Sequence, residues 1–293
     1  MTPAAGIEIA AAGVAAGLVN AVVGSGSLIT FPLLLALGYP PVVANVSNNV
    51  GLVPASVGAA VTQRSELAGR PRLLVVVLLT AAVGGGAGGI LLVLLPGSVF
   101  ERVVPYLILV SVVLMVLRPW LAARARARAQ TTSRLPARWA DAATTTPGPS
   151  AELQAGDVPA RGGEPARGGE PASGVVPAPA WLPVALAAAA VYSGYFGAAV
   201  GVIILSVLAV ALPERIHRLN VWKNVAVGLS NTTAAVVFVA VSHVAWPVAG
   251  ILALASLAGG QLGVHVGRRI PSAALVSVVV VVGVVAAVVL LAH

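Results

Sequence analysis

Residues 17–51 read GLVNAVVGSGSLITFPLLLALGYPPVVANVSNNVG. The stretch is apolar enough to lie in a bilayer. Yet Gly24, Ser25, Gly26, Ser27, Thr30 and Pro32 interrupt it in mid-run, and Asn45, Ser47, Asn48 and Asn49 follow. A lipid-facing helix has no use for so many breakers and amides. Irregular backbone at membrane depth is tolerated only where protein or a water-filled cavity surrounds it. The stretch therefore predicts a broken helix beside a polar cavity, with the rest of the chain arranged around that break.

The composition agrees with a bilayer setting. Of 293 residues, 58% are hydrophobic and 9% charged, where a soluble domain carries roughly 25% charged residues. The reading is an all-α polytopic membrane protein. The chain has no cysteine, so disulfides and thiolate metal sites are excluded, and its four histidines show neither HxxxH nor HExxH spacing. Neither a metal nor a cofactor is expected. A net charge of +8 in a soluble protein would suggest a nucleic-acid partner. Here the arginines sit between apolar runs, where they set topology, and no nucleic acid is expected. The opening MTPAAGIEIAAAG lacks a basic n-region and an AxA cleavage site followed by a soluble domain, so it reads as the first membrane segment. The Ala, Val, Gly and Arg bias with a single lysine suggests a high-GC bacterium and thus its plasma (inner) membrane. GxSxG, Walker and HExxH motifs are missing from the sequence, which argues against an enzyme.

Windows of roughly 20 residues find eight apolar segments: 5–37, 41–62, 72–95, 100–118, 181–212, 219–242, 246–266 and 273–291. Two of them, 5–37 and 181–212, are long and broken by glycine, so the eight predict roughly 8–10 membrane helices. Between the fourth and fifth lies 119–180, with arginines at its start, TTTPGPS, and ARGGEP twice over 160–171. Pro, Gly, Ala and alternating charge cannot bury a core, which predicts a disordered linker. The expected organisation is a first transmembrane repeat over 1–118, the linker over 119–180, and a second repeat over 181–293.

The halves resemble each other. An offset of 175 lays ANVSNNV (44–50) on LNVWKNV (219–225), matching Asn45 with Asn220 and Asn49 with Asn224. The same offset lays GGGAGG (84–89) on GGQLGV (259–264); an offset of 177 lays Gly17 on Gly194 and Gly24 on Gly201. Positive charge then orients the halves. Arg64, Arg70 and Arg72, the arginines opening the linker, Arg215 and Arg218, and Arg268 and Arg269 all belong inside. That holds only if 181–212 enters and leaves on one side, as a hairpin that is either re-entrant or crosses twice. Equivalent loops then fall on opposite sides. The expectation is an inverted-topology repeat with a midplane site where discontinuous helices meet, a cytoplasmic linker, and both termini outside.

Several residues are candidates for lining that site. Gly24-Ser25-Gly26-Ser27, beside Asn20, and Gly194-Tyr195-Phe196-Gly197 with Gly201 are places to unwind the chain. A broken helix exposes N–H groups whose dipole favours anions, though close packing through small residues is the alternative use of such glycines. Asn45 and Asn49, and Asn220 and Asn224, each share one face of a helix at a spacing of four. They line a polar path or hydrogen-bond between helices. Lys223, the chain's one lysine, lies within the duplicated motif and aligns with Asn48. An intramembrane ionisable group is a functional residue by default. It pairs with an anion, exchanges a proton, or snorkels to the headgroups from its place near Arg218. Of nine acids only Glu8 is expected within the membrane, and near a segment's end, with Glu101 at the very start of 100–118, which argues against a carboxylate relay or a cation filter and favours a small anionic substrate.

With these residues in view, the 17–51 run and its weaker repeat GYFGAAVGVIILSVLAVALPERIHRLNVWKNVAVG at 194–228 resemble the TauE/SafE family of membrane transporters. WPVAGILALASLAGGQLGVHVGRRIP at 246–271 is similar to that family's second-repeat ending. The resemblance covers 5–118 and 181–291 and implies export or uptake of sulfite, sulfonates and related organosulfur anions. It points to Gly24, Gly26 and Pro32 in the first repeat and to Gly197 and Gly201 in the second. The second repeat departs from the pattern at Val202-Ile203, and has no matching proline before Pro213. The expected function is a secondary transporter of a small anion, sulfite or an organosulfonate, working by alternating access with proton or ion coupling left open. The alternatives are a passive anion channel and a membrane scaffold or assembly factor. The expected site is Asn20, Gly24, Ser25, Gly26, Ser27, Asn45, Asn49, Asn220, Lys223 and Asn224.

Overall fold

The structure is a computed structural model that describes residues 2–63, 67, 70–117, 120, 179–212, 214, 216–266 and 272–292. The linker expected over 119–180 therefore lies almost wholly outside the described residues. The regular structure among the described residues is all helical: α1 (Pro3–Val22), α2 (Ser27–Ala36), α3 (Pro41–Thr62), α4 (Pro71–Leu94), α5 (Gly97–Leu117), α6 (Leu182–Tyr195), α7 (Val200–Ala211), α8 (Ile216–Val241), α9 (Trp246–Val266) and α10 (Ser272–Ala292).

Proline starts many of these helices. It occupies the first or second position of α1, α3, α4 and α6, where its missing N–H costs no intrahelical bond. At the head of α1 the Thr2 hydroxyl also accepts the Ala5 N–H at 3.2 Å, a side-chain cap. Five helices, α1, α4, α5, α8 and α9, are long and apolar enough to cross a bilayer. Leu79, Val83, Leu94, Val236 and Leu254 are exposed on them, as suits a lipid-facing surface. The protein is a multi-pass membrane protein.

The two long apolar runs each split into a pair of helices. Segment 5–37 becomes α1 and α2, and 181–212 becomes α6 and α7. With ten residues in α2 and twelve in α7, these span about 15 and 18 Å, roughly half a hydrocarbon core. The two breaks have the same backbone. Val23 and Gly24 both donate to the Val19 carbonyl, at 2.7 and 3.1 Å; Phe196 and Gly197 both donate to that of Tyr192, at 3.0 and 3.1 Å. Gly24 has φ 88° and Gly197 φ 78°, a left-handed conformation that glycine adopts without a Cβ penalty. The helix-ending glycines thus stand 173 apart (197 less 24), one helical turn away from the spacing of 177 read from the sequence. Gly194 lies inside α6 and Gly201 inside α7.

Helices of the first half pack on helices of the second. α1 lies on α9, α4 on α6 and α8, and α3 on α8 and α9. Small residues let these backbones touch. A Cβ on Gly17 would stand 2.1 Å from the Ser256 carbonyl oxygen, and one on Gly194 would stand 2.1 Å from that of Gly85. The glycines of GGGAGG include this packing surface, the use such residues have at membrane helix contacts. Around the breaks, Phe31, Phe100 and Phe196 form an edge-to-face aromatic cluster with Tyr192 and Tyr195. Phe31 and Phe196 are 5.4 Å apart between ring centroids at 89°, an arrangement that matches ring edge to ring face.

Candidate functional site

The two breaks cross each other. The Gly201 N–H donates to the Gly24 carbonyl at 3.1 Å. A Cβ on Gly24 would lie 2.8 Å from the Gly201 Cα, and one on Gly201 would lie 2.6 Å from the Gly24 Cα and carbonyl oxygen. Only glycine at both positions permits this approach. The backbone beside the crossing is held from several directions. The Tyr192 and Ser111 hydroxyls reach the Ala198 carbonyl at 2.9 and 3.3 Å. Ala199 next to it has φ 55°, a left-handed conformation that costs an L-residue roughly 1–2 kcal/mol and persists because its surroundings fix it.

Lys223 comes to this crossing from α8. It is 1% exposed, and its Nζ would stand 3.3 Å from a Cβ on Gly24. A snorkelling lysine keeps its ammonium in the headgroups; this one is enclosed by protein. Beside it is a small cavity of about 10 Å³, lined by Asn20, Ala21, Gly24, Ala55, Ser56, Ala59, Lys223, Asn224 and Val227. That is room for about one water. Asn20 Nδ2 donates to Ser56 Oγ at 3.0 Å across it, and Asn224 Nδ2 donates to Gln63 Oε1 at 3.1 Å. The polar lining is one ammonium, two amides and a hydroxyl, with no carboxylate among the lining residues.

Residues 9–290 match the family described as Sulfite exporter TauE/SafE. The chain belongs to the TauE/SafE family. No curated protein and no solved structure matched it. The match covers both breaks and the helices α3 and α8 that line the cavity.

In this TauE/SafE chain, four of the ten residues expected to line a site meet at the cavity: Asn20, Gly24, Lys223 and Asn224. The others lie elsewhere. Ser25 Oγ points to Met115 Sδ on α5 at 4.0 Å, and Gly26 packs on α1, where a Cβ would meet the Ala16 carbonyl oxygen at 2.3 Å. Ser27 Oγ donates to the Gly197 carbonyl at 3.5 Å, and Asn45 Nδ2 donates to that of Tyr195 at 3.0 Å. Both therefore satisfy carbonyls left open where α6 ends. Asn49 is buried and Asn220 half-buried, outside the cavity lining. Their Oδ1 atoms have no hydrogen-bond partner among the described residues. Asn48, the counterpart of Lys223 in the other half, accepts from the Thr30 hydroxyl. Sequence reasoning missed Ser56 and Gln63. Their signal was the heptad spacing Asn49, Ser56, Gln63 along α3, which keeps side chains near one face of a helix.

Proposed function

We propose that the chain is a secondary transporter of a small sulfur oxyanion or organosulfonate, with the anion bound at Lys223 beside the crossed breaks. The observation that carries this reading is the burial of the chain's one lysine in a cavity whose other polar groups are amides and a hydroxyl. An ionisable side chain held within the membrane-spanning part of a protein is a functional residue by default, and an ammonium recognises an anion by charge. Asn20, Ser56 and Asn224 supply hydrogen-bond groups around the charge. TauE/SafE membership favours sulfite among the candidate anions.

Transport proceeds by alternating access between two inverted repeats, 1–118 and 181–293. Several features support that arrangement. The breaks at Gly24 and Gly197 share one hydrogen-bond pattern. The helix packing is also exchanged between halves: α1 on α9 is answered by α6 on α4, and α3 on α9 by α8 on α4, as a two-fold relation requires. The cavity of about 10 Å³ is far smaller than a sulfite ion. We therefore read the described conformation as closed on both sides, so that opening widens the cavity to one side at a time. The membrane is the bacterial plasma membrane, with the arginine-rich loops and 119–180 cytoplasmic and both termini outside.

The test is flux in proteoliposomes. Sulfite should accumulate against its own gradient when a proton or other ion gradient is imposed. Flux that only ever runs downhill would favour a channel. The linker acts as a tether, so deleting residues 125–178 should leave the transport rate within about twofold of the intact chain. Loss of transport on that deletion would instead favour a scaffold whose partner docks on the linker.

A further inference from the structure

We propose that Gln63, Arg70 and Glu214 form a two-layer latch that closes the anion path between the two halves on the arginine-rich face. The inference rests on reading the Lys223 cavity as the anion site, and it assigns a gate to that site.

The inner layer touches the cavity directly. Ala59 lines it from α3 and Asn224 lines it from α8. One helical turn beyond Ala59, where α3 ends, Gln63 Oε1 accepts from Asn224 Nδ2 at 3.1 Å. The bond joins first half to second half immediately next to the bound anion's place. The outer layer is ionic. Glu214, just before α8, has Oε1 3.0 Å from Arg70 Nη2 and Oε2 3.2 Å from Arg218 Nη1. Arg70 immediately precedes α4, so this pair again ties the first half to the second. The side chains of Arg70 and Glu214 are only 16% and 9% exposed, which limits screening by salt.

Both layers join the facing ends of α3 and α4, at Gln63 and Arg70, to the first turns of α8 and the residues just before it. Those pieces must separate for the cavity to open on this face. Glu214 is positioned by two guanidinium groups at once, and Asn224 belongs to the site and the latch together. Movement at the anion is thereby linked to the contacts that hold the face shut. A plain structural staple would lower stability when cut without changing access to the cavity from one side.

The chain has no cysteine, so a single introduced thiol reports cleanly. Ala59→Cys is placed in the otherwise intact protein in proteoliposomes of known orientation, and labelled with 2-sulfonatoethyl methanethiosulfonate from either side. Glu214→Gln and Gln63→Ala should each speed labelling from the Arg70 face by about tenfold, the shift expected on losing a hydrogen bond to a charged or buried polar group. Labelling from the opposite face should not rise. The triple charge swap Arg70→Glu, Glu214→Arg and Arg218→Glu rebuilds both contacts of position 214 and should return labelling to its slow rate. Unchanged labelling in both single variants, or an equal rise from both faces, would overturn the latch. Labelling requires no recognition of sulfite, and sulfite binding by calorimetry is measured alongside. Faster one-sided labelling without sulfite binding would keep the gate and remove the anion assignment. Sulfite binding with unchanged labelling would remove the gate alone.

Discussion

Replacing Lys223 with Met should abolish sulfite binding in a protein that still folds. The side chain is buried to 1% exposure in a site of about 10 Å³. Methionine has similar length and fills the same volume without a charge. Loss of a buried charged partner typically weakens an ion's binding by about 2–5 kcal/mol, or roughly 30-fold to several thousandfold. Lys223→Arg should retain part of the affinity, since its charge remains but its planar fork and bulk do not fit a point-charge site. Calorimetry and a thermal melt on the same preparations decide the matter. A lysine kept only for structure would give a lower melting temperature in Lys223→Met with sulfite affinity unchanged.

Gly24→Ala should be far more damaging than Gly38→Ala, although both glycines have left-handed φ, 88° and 83°. The conformational cost is common to the two, roughly 1–2 kcal/mol. At Gly38 a Cβ meets nothing within 4 Å, so that cost is all of it. At Gly24 the Cβ would stand 2.8 Å from the Gly201 backbone, and overpacking adds typically 1–3 kcal/mol. Gly201→Ala isolates the crowding, because its Cβ would press on Gly24 at 2.6 Å from within a regular helix. Denaturation in detergent should rank the variants Gly38→Ala, Gly201→Ala, Gly24→Ala in increasing loss of stability. Gly24→Ala and Gly201→Ala should both lose transport, because they force apart the crossing at which the ammonium sits. Equal, small effects for Gly24→Ala and Gly38→Ala would mean that the crossing is not a tight contact.

The broken hairpins were legible in the sequence because glycine, serine and proline stand in mid-run of segments too long for one span. The family was legible for the same reason. The register of the second break was not, because Gly194, Gly197 and Gly201 all stand near it. Which of them carries positive φ depends on packing, and Gly194 and Gly201 are used for close approach instead. Ala199 at φ 55° left no trace at all, since alanine is the residue least suggestive of such a backbone. The polar candidates divided by a simple physical demand. Breaking α6 leaves carbonyls open, and Ser27 and Asn45 cross from the first half to satisfy them. A sequence gives no way to tell an amide that caps a helix from one that faces a cavity. Lys223, by contrast, was legible as a lone cation in an apolar chain, although its burial against Gly24 required the fold.

The most direct measurement is to locate a bound anion. Selenite is a heavier relative of sulfite, and its selenium is visible by anomalous scattering in crystals of the intact chain. The selenium is expected beside Lys223, with an oxygen within about 4 Å of Nζ, the reach of an ion pair, and with Asn20 and Asn224 around it. Ordered selenite at any other place in the protein, in crystals of a preparation that transports sulfite, would contradict the assignment of the Lys223 cavity as the anion site.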